Sequence, residues 1–273
     1  MSSAAEDLAF EALARRISQG GGLAVEAYKT KCIRRRIAVR MRACGVHTYG
    51  EYHALLDRNP AEYDRLRDAL TINVTRFFRN AETWERLGNG FLSQLWSPTA
   101  RLRIWSAGCA SGEEAYSLAI LAAELAAKRG DPSALERVQI DATDIDRESL
   151  RRAGSGRYRP EALLEMPILL RERYFEQVGS EYRVIERIRQ RVDVRALDLS
   201  RERPPASAYD LIVCRNVVIY FERPMQERLF QTFYETLRPG GLLLLGKVET
   251  LFGVARDRLT LLDARERIYR RAG

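Results

Sequence analysis

The sequence has few residues that could bind a metal or form disulfides. It contains two histidines, His47 and His53, and both lie in the amino-terminal part. None of the four cysteines belongs to a C-x-x-C pair, which is typical of reduced thiols in a cytoplasmic protein. The cysteines are Cys32, Cys44, Cys109 and Cys214. We therefore expect neither a metal site nor catalysis by histidine.

Long hydrophobic runs are also absent. The longest aliphatic run is Leu242–Leu245, whereas a membrane-spanning helix needs about 20 apolar residues. The segment Met1–Asp7 lacks the basic and apolar regions of a signal peptide. The sequence thus predicts a cytoplasmic protein without membrane insertion.

Acidic residues are outnumbered by basic ones. The chain of 273 residues carries 45 Lys and Arg against 37 Asp and Glu, a net charge of +8. This length suffices for one large α/β domain and a second, small one. The charge indicates an acidic partner. Nucleic acid and an acidic protein helix both meet that description, and the charge alone does not choose between them.

Residues 1–75 predict a small all-helical amino-terminal domain. A single apolar stripe with helical spacing runs from Ile33 to Cys44, and the other faces of that helix carry lysines and arginines without an acid. Unbroken like charge destabilises a helix by repulsion, so we favour a docking surface for an acidic partner over a solvated face. The residues expected to dock are Arg35, Arg36 and Arg40.

Strands and helices alternate in the rest of the chain. After a connector at 76–100, the region 101–273 predicts a doubly wound, mostly parallel, Rossmann-like sheet. The expected strands are Leu102–Ala107, Val138–Thr143, Arg191–Ala196, Asp210–Cys214 and Leu242–Gly246, with a last ribbon around Arg258–Tyr269. The expected helices are Glu113–Lys128, Glu148–Ala153 and Pro224–Leu237.

An antiparallel hairpin interrupts this alternation. Residues 174–190 predict an inserted β subdomain that turns at Val178–Ser180. From the sequence pattern alone, this subdomain is a simple edge hairpin.

The segment Leu102–Glu114 predicts a strand, a glycine-containing loop and the start of a helix, the arrangement that presents a nucleoside cofactor. Where a dinucleotide fingerprint needs its last glycine, this chain has Glu113, followed by Glu114. Carboxylates there repel a pyrophosphate. A cationic ligand without phosphate fits better, and S-adenosylmethionine meets both conditions.

The next strand ends in acids that support the same cofactor. Asp144 follows the loop at about the spacing at which a nucleotide fold places its ribose-binding carboxylate. Arg79 carries a planar charged group suited to the carboxylate of the cofactor. Glu113 and Glu114 are expected to receive the amino group of the cofactor or to complement its sulfonium, and the sequence does not say which residue makes the contact.

Four segments of the sequence resemble the chemotaxis receptor glutamate methyltransferases of the CheR type. The resemblance runs from about Tyr28 to Glu249, and the pairing of Asn-x-Thr-x-Phe-Phe-Arg with Cys-Arg-Asn-Val is specific to it. The four segments are Thr71–Arg79, Gly108–Tyr116, Ala142–Asp146 and Cys214–Phe221. The chain departs from the family at Lys247 and Val248, which stand in Gly246–Glu249 where the family usually has His and Ser.

The resemblance implies transfer of a methyl group from S-adenosylmethionine to glutamate side chains of a methyl-accepting chemoreceptor, with S-adenosylhomocysteine as the other product. It implies that Asp198 and Leu199 bind the adenine and that Arg215 and Asn216 line the site. It also implies that the hairpin subdomain binds a receptor peptide by adding a strand, and this interpretation and that of a simple edge hairpin both stay open. Tyr220 is expected either to reach the reacting carboxylate or to pack in the core. The expected catalytic residues are Arg79, Asn216 and Tyr220. The expected cofactor-binding residues are Asn73, Thr75, Arg79, Gly108, Glu113, Glu114, Asp144, Asp198, Leu199, Arg215 and Asn216.

The scarcity of histidine suits a carboxylate acceptor, because glutamate is already ionised at neutral pH and needs no general base. A nucleic-acid methyltransferase is the alternative enzyme, but its Asp/Asn-Pro-Pro-aromatic motif is replaced here by Arg215–Tyr220. We therefore expect no nucleic-acid partner. A third interpretation is a non-catalytic methyltransferase-like signalling module, which the changed residues Lys247 and Val248 favour and the intact motifs oppose.

Overall fold

A computed structural model describes residues 3–20, 23–71, 74–97 and 99–273. The chain divides into two compact units. The first comprises Met1–Ile72 and Tyr220–Gln226, and the second comprises Asn73–Ile219 and Glu227–Gly273.

The first unit is built from helices, as its sequence pattern predicts. They are α1 (Ser3–Gly20), α2 (Thr30–Ala43), α3 (Tyr49–Arg58) and α4 (Pro60–Leu70). A capping box at Thr48 and Glu51 starts α3, and the Asn59 side chain caps α4 with Pro60 in the first turn. The predicted apolar stripe of α2 is buried at Ile33 and Ile37. This stripe therefore forms part of the core of the unit.

The second unit contains a seven-stranded sheet in the order β6-β2-β1-β7-β8-β10-β9 within the described ranges. The first five strands are parallel, and β10 pairs antiparallel with both β8 and β9. The strands of this sheet are β1 (Leu102–Ala107), β2 (Val138–Asp144), β6 (Val192–Ala196), β7 (Tyr209–Cys214), β8 (Leu237–Leu245), β9 (Leu259–Asp263) and β10 (Ile268–Arg271). The predicted mostly parallel Rossmann-like sheet is confirmed.

Helices accompany this sheet along the chain, and α7 has the bounds that the sequence predicts. The helices are α5 (Ala81–Arg86), a π-helical stretch (Leu87–Leu92), α6 (Ser93–Leu95), α7 (Glu113–Lys128), α8 (Arg147–Ser155), α9 (Ile168–Tyr174), α10 (Glu186–Arg189), α11 (Arg223–Thr236) and α12 (Val254–Arg258). No helix in the described part of the chain is both long and apolar enough to cross a membrane.

A small antiparallel sheet accompanies the large one in the second unit. Its order is β3-β5-β4, with β3 (Arg157–Tyr158), β4 (Phe175–Val178) and β5 (Glu181–Val184). The predicted hairpin is confirmed in β4 and β5, where Gly179 takes a positive φ of 64°. Its predicted bounds are too wide, because Tyr174 ends α9 and Glu186 starts α10. The third strand, β3, is missing from the sequence prediction because two residues cannot show an alternating pattern.

One strand boundary also differs from the prediction. The segment Arg238–Gly241 was expected to connect a helix to a strand starting at Leu242, but β8 already begins at Leu237. The pairing of β7 with β8 shifts register between Tyr209 and Leu211, and Gly240 has a φ of 77°. A strand irregularity thus occupies the place where Pro-Gly-Gly indicated a turn.

Candidate functional site

The carboxyl ends of the parallel strands carry most of the predicted site residues. The glycine-containing loop follows β1, Asp144 ends β2, Asp198 follows β6, and Arg215 and Asn216 follow β7. In an open parallel sheet these ends lie on one edge, which is where such folds bind ligands. All of these residues belong to the second unit.

The loop after β1 needs its glycines for steric reasons. Gly108 and Gly112 have φ values of 85° and 92°, and Ala110 between them has 48°. A Cβ on Gly108 would lie 2.4 Å from Cγ2 of Val217, and one on Gly112 would lie 2.8 Å from Cβ of Ala153. The backbone therefore approaches its neighbours too closely for any side chain at these two positions.

Asp144 is bound to this loop by its carboxylate. Oδ2 accepts a hydrogen bond from the Ala110 amide at 2.8 Å, and Oδ1 accepts one from the Asp146 amide at 2.9 Å. Burial raises the pKa of Asp144, although both amides favour the ionised form. The residue thus organises the loop, a role that its position in the sequence did not indicate. Its contact with a ribose stays a prediction.

The two acids at the start of α7 have different surroundings. The hydroxyl of Ser111 donates to both oxygens of Glu113, at 3.0 and 2.8 Å. Glu114 instead accepts from the Ser106 hydroxyl at 2.9 Å and lies 3.7 Å from Nη1 of Arg215. Burial raises the pKa of both glutamates. Only Glu114 is thus paired with a cation of the site.

Arg215 is a buried cation with part of its hydrogen-bonding capacity unused. Its Nη2 donates to the Arg79 carbonyl at 3.0 Å and to Oδ1 of Asn80 at 2.8 Å, and its guanidinium lies 5.5 Å from the Trp84 ring centroid. Burial lowers its pKa. Its Nε has no hydrogen-bond partner among the described residues. A buried unpaired donor is costly, which makes this atom a candidate contact for a ligand.

Arg79 and Thr75 lie in the segment that precedes α5. The Arg79 side chain donates to the Val74 carbonyl at 2.8 Å, and Thr75 is half-buried. Asn73, the other residue predicted for this segment, lies outside the described residues. The roles of all three stay predictions.

Two phenylalanines, Phe77 and Phe78, fix this segment. The Phe77 ring packs edge-on against Tyr158 and Phe175 of the small sheet, with centroids 4.8 and 5.0 Å apart. The Phe78 amide donates to the Ser117 hydroxyl of α7 at 3.0 Å. The segment is thereby attached to both the small sheet and the cofactor-loop helix.

Tyr158 of β3 is a site residue that the sequence reasoning missed. Its hydroxyl donates to the Ser111 carbonyl in the loop after β1 at 2.7 Å. The small sheet is therefore joined directly to the glycine-containing loop. This contact could not be predicted, because the sequence pattern did not indicate the strand β3 that carries Tyr158.

Asp198 has one satisfied and one unsatisfied oxygen. Oδ1 accepts from the amide and the hydroxyl of Ser200 at 2.8 and 2.6 Å. The buried Oδ2 has no hydrogen-bond partner in the described part of the chain, and the nearest cation, Nε of Arg201, is 3.9 Å away. This oxygen is available to accept a hydrogen bond from a ligand amine, and its contact with adenine stays a prediction. The adjacent Leu199 is half-buried.

Asn216 has a left-handed backbone with a φ of 60°, and its amide donates to the buried Glu249 carboxylate at 3.0 Å. Tyr220, the third predicted catalytic residue, belongs to the first unit. There its carbonyl accepts from the Lys29 amide at 2.8 Å, and the Arg36 guanidinium lies 5.7 Å from its ring centroid. The catalytic roles of both residues stay predictions.

Two arginines of α2 bind acids that lie on other helices. Arg40 binds the buried Glu62 of α4, and Arg34 binds Asp7 of α1. Arg36 donates to the carbonyls of Ala69 and Leu70. These partners lie on other helices, so the sequence of α2 alone could not reveal them. Arg36 and Arg40 therefore have structural contacts, and Arg35 is the exposed member of the predicted docking set.

Three basic residues are exposed on one face of α2, and Arg35 is the member that they share with the predicted docking set. Lys31, Arg35, Val39 and Arg42 are spaced as one helix face, and all four are exposed. We call Lys31, Arg35 and Arg42 the exposed basic stripe. None of these three forms an ion pair with a residue that the structure describes.

The charged and polar groups of the second unit fit S-adenosylmethionine. Asp144 and Glu114 supply negative charge at the loop, and Asp198 Oδ2 and Arg215 Nε are polar atoms without hydrogen-bond partners among the described residues. The described residues contain no group of three or more His, Cys, Asp or Glu side chains arranged to hold a metal ion.

Comparison with known families gives matches to both units. The CheR methyltransferase all-alpha domain matches residues 8–71, and the CheR methyltransferase SAM binding domain matches residues 73–268.

Curated relatives carry consistent names. A chemotaxis protein methyltransferase of Klebsiella aerogenes is 34% identical over 258 residues, covering 92% of this chain and 86% of the relative. Chemotaxis protein methyltransferase 2 of Pseudomonas aeruginosa is 35% identical over 245 residues, covering 88% and 85%. A chemotaxis protein methyltransferase of Escherichia coli is 32% identical over 265 residues, covering 94% and 89%.

Proposed function

The chain belongs to the CheR methyltransferase family of S-adenosylmethionine-dependent enzymes, and on this premise we propose that its acceptors are glutamate side chains in the cytoplasmic helices of chemoreceptors. The products are glutamate methyl esters and S-adenosylhomocysteine. The observation that carries the proposal is the acid-lined loop after β1, in a chain whose relatives are named chemotaxis protein methyltransferases.

The cofactor supplies a methyl group on a positively charged sulfur. When bound, the cofactor would donate this methyl group to the acceptor carboxylate oxygen, and the electron pair of the carbon–sulfur bond would stay on the sulfur. No proton moves, because the acceptor glutamate is ionised at neutral pH. The task of the protein is therefore to bind, align and partly dry the two reactants.

The residues of the second unit divide this task. Asp144 is suited to the ribose hydroxyls and Asp198 Oδ2 to the adenine amine, because both are buried acceptors. Glu114 complements the sulfonium, and the Nε of Arg215 and the guanidinium of Arg79 provide cationic donors for a carboxylate. Asn216 is the proposed contact to the acceptor within this unit.

The first unit provides the proposed receptor contact. Methylatable receptor helices are acidic because they carry the substrate glutamates, and the exposed basic stripe of α2 has the complementary charge. The edge strand β4, which pairs with β5 alone in the described ranges, is a second candidate contact for a receptor segment.

The decisive experiment uses methyl-labelled S-adenosylmethionine with a cytoplasmic receptor fragment. We expect incorporated label that mild base releases as methanol, and loss of incorporation when the acceptor glutamates are replaced by alanine. Base-stable label on the receptor fragment would indicate N-methylation of lysine and would contradict glutamate as the acceptor. Binding of S-adenosylhomocysteine without any methyl transfer would support the non-catalytic module.

A further inference from the structure

Glu249 has an unusual set of partners in the second unit. It lies after β8, is 3% exposed, and its carboxylate accepts hydrogen bonds only from backbone amides among the partners found in the described residues. The donors are the amides of Gly246 at 2.6 Å, Asn216 at 3.0 Å, Val217 at 3.0 Å and Ile219 at 3.3 Å.

This carboxylate has no directly paired cation among the described residues, and the nearby Arg215 guanidinium interacts with it electrostatically, without a direct contact. No lysine or arginine of the described chain forms an ion pair with Glu249, and burial raises its pKa while the amides favour the charged form. A buried acid is costly unless its partners satisfy it. The sheet itself does not need this residue, since β7 and β8 are already paired up to Cys214 and Leu245. The amides that it collects belong mainly to the turn after β7.

That turn contains a residue with a strained backbone. Asn216 has a φ of 60°, a conformation that a residue other than glycine adopts at some cost. The hydrogen bond from its amide to Oε2 of Glu249, and those from Val217 and Ile219 to Oε1, hold the turn on both sides of the strained position. Without this carboxylate, the amides lose their acceptor and the backbone is free to relax.

Gly246 makes the close approach possible. A Cβ at this position would lie 2.7 Å from Oε2 of Glu249 and 2.9 Å from the Asn216 amide nitrogen. The two intervening residues face elsewhere. Nζ of Lys247 binds Glu82 at 3.2 Å and Glu266 at 3.4 Å, and Val248 is 72% exposed. In this segment the glycine and the acid are therefore the residues that contact the Asn216 turn.

We propose that Glu249 is a positioning residue of the methyl-transfer site, which fixes the left-handed turn at Asn216 so that Arg215 and Asn216 face the reactants. Gly246 makes this contact possible, because a side chain at its position would collide with Glu249 and with the Asn216 amide. The proposal rests on the proposed function for the identity of the acceptor, but its effect on the cofactor is independent of any receptor.

The test is a double-mutant cycle of Glu249→Gln and Asn216→Ala. Glutamine keeps the shape of Glu249 but turns an NH2 group towards backbone donors, so the turn loses part of its anchor. We expect Glu249→Gln to weaken S-adenosylhomocysteine affinity or kcat by about tenfold or more, as expected for unsatisfied buried groups. Asn216→Ala should act on the same quantity, and the double variant should be no worse than the more damaging single variant.

Asp210→Asn is the matched control for a general loss of stability. Asp210 is also a buried acid of the second unit; it accepts from the Arg103 amide and pairs with Arg238 at the opposite end of β7. We expect this variant to lower Tm with little change in cofactor affinity or kcat. Gly246→Ala should reproduce the functional loss of Glu249→Gln, whereas Val248→Ser should leave it unchanged.

Three results would overturn the proposal. They are additive losses in the cycle, a Glu249→Gln variant that loses Tm alone as Asp210→Asn does, and an Asn216→Ala variant with unchanged affinity and kcat. Calorimetry with S-adenosylhomocysteine distinguishes failure of this proposal from failure of the proposed function. If the protein binds the product but methylates no receptor, the double-mutant cycle can still be measured on binding alone.

Discussion

Each unit of this protein contains a pair of an arginine and a glutamate in which one partner is buried and the other is half-buried, and the two pairs differ in how directly their charged groups contact each other. In the first unit, Nε and Nη2 of Arg40 bind the two oxygens of Glu62 at 2.9 and 2.6 Å, and the Tyr52 hydroxyl adds a bond at 2.8 Å. In the second, Arg215 and Glu114 stay 3.7 Å apart.

The pKa directions follow this difference. The hydrogen bond to Glu62 raises the pKa of Arg40, and although burial raises the pKa of Glu62, its hydrogen bonds outweigh burial and lower it. Burial instead lowers the pKa of Arg215 and raises that of Glu114. The charged groups of the first pair are hydrogen-bonded directly to each other, whereas those of the second pair are not and can bind a charged ligand. Buried charge alone therefore does not mark a functional site, and in this protein the less directly paired arginine is the one that follows β7 at the carboxyl edge of the sheet.

The largest effects are expected when the arginine of each pair is replaced, on stability for the first pair and on cofactor binding for the second. Arg40→Met leaves the buried Glu62 without its hydrogen-bonded cation, with Arg65 still 3.9 Å away, and should cost about 3–5 kcal/mol of unfolding free energy. Arg215→Met should cost less, because its partner is not directly hydrogen-bonded, but should lose most cofactor affinity. Thermal unfolding and S-adenosylhomocysteine calorimetry on both variants measure the two losses. Equal Tm losses, or intact cofactor affinity in Arg215→Met, would remove the distinction.

The pairs should also respond to acid in opposite directions. The pKa of Glu62 lies below its ordinary 4.5 in the folded protein, so its stabilising contribution is present above that value and is lost as pH falls through the folded pKa. The pKa of Glu114 is raised, so its charged form costs stability above the folded pKa, and this cost disappears as pH falls. Stability relative to Glu62→Gln should therefore decrease on acidification, whereas stability relative to Glu114→Gln should increase. Slopes of the same sign in the two Tm series would contradict this.

Sequence reasoning reached the elements that depend on local pattern. The apolar run of β1 and the helix Glu113–Lys128 have the bounds that the sequence predicts. It missed what depends on distant partners. Glu62 is 22 residues from Arg40 on another helix, and Glu249 is 33 residues from the Asn216 amide that it binds. No periodicity or motif records such pairings, because they exist only after the chain has folded.

Substitution of Asp144 tests the proposed cofactor site of the second unit, and the expected loss of affinity is of intermediate size. Asp144→Ala removes an acceptor for the Ala110 and Asp146 amides as well as the proposed ribose contact. We expect cofactor affinity to fall by about 1–3 kcal/mol. Asp144→Asn is the companion variant, since it keeps one acceptor oxygen for the loop, and its loss should be smaller. Unchanged calorimetric affinity in the alanine variant would remove Asp144 from the site.

Tyr158 tests whether the small sheet supports the cofactor loop. Tyr158→Phe removes the single bond at 2.7 Å to the Ser111 carbonyl and keeps the packing against Phe77. We expect cofactor affinity to weaken by about 0.5–1.5 kcal/mol, the net value of one hydrogen bond. Tyr116→Phe is the control, because its hydroxyl binds the Ala153 carbonyl of α8 instead. Equal losses in both variants would mean that the effect is not specific to the loop.

The smallest effect per residue belongs to the exposed basic stripe, and the comparison of the pairs decides how to test it. Substituting Arg36 or Arg40 would confuse docking with stability, since both bind within the first unit. The variant of choice therefore combines Lys31→Ala, Arg35→Ala and Arg42→Ala. Exposed charges contribute only about 0–1 kcal/mol each, so the three together are needed for a measurable change.

We expect this triple variant to raise the KM for receptor while Tm and cofactor affinity stay constant, and the difference from the wild type should shrink as salt rises, because salt screens exposed charges. A second triple variant, Arg101→Ala, Lys128→Ala and Arg147→Ala, removes the same charge from exposed positions of the second unit. If both variants raise the KM equally, the receptor responds to net charge and not to the stripe. If neither does, the stripe is a solvated face, and the edge of β4 becomes the receptor contact to test.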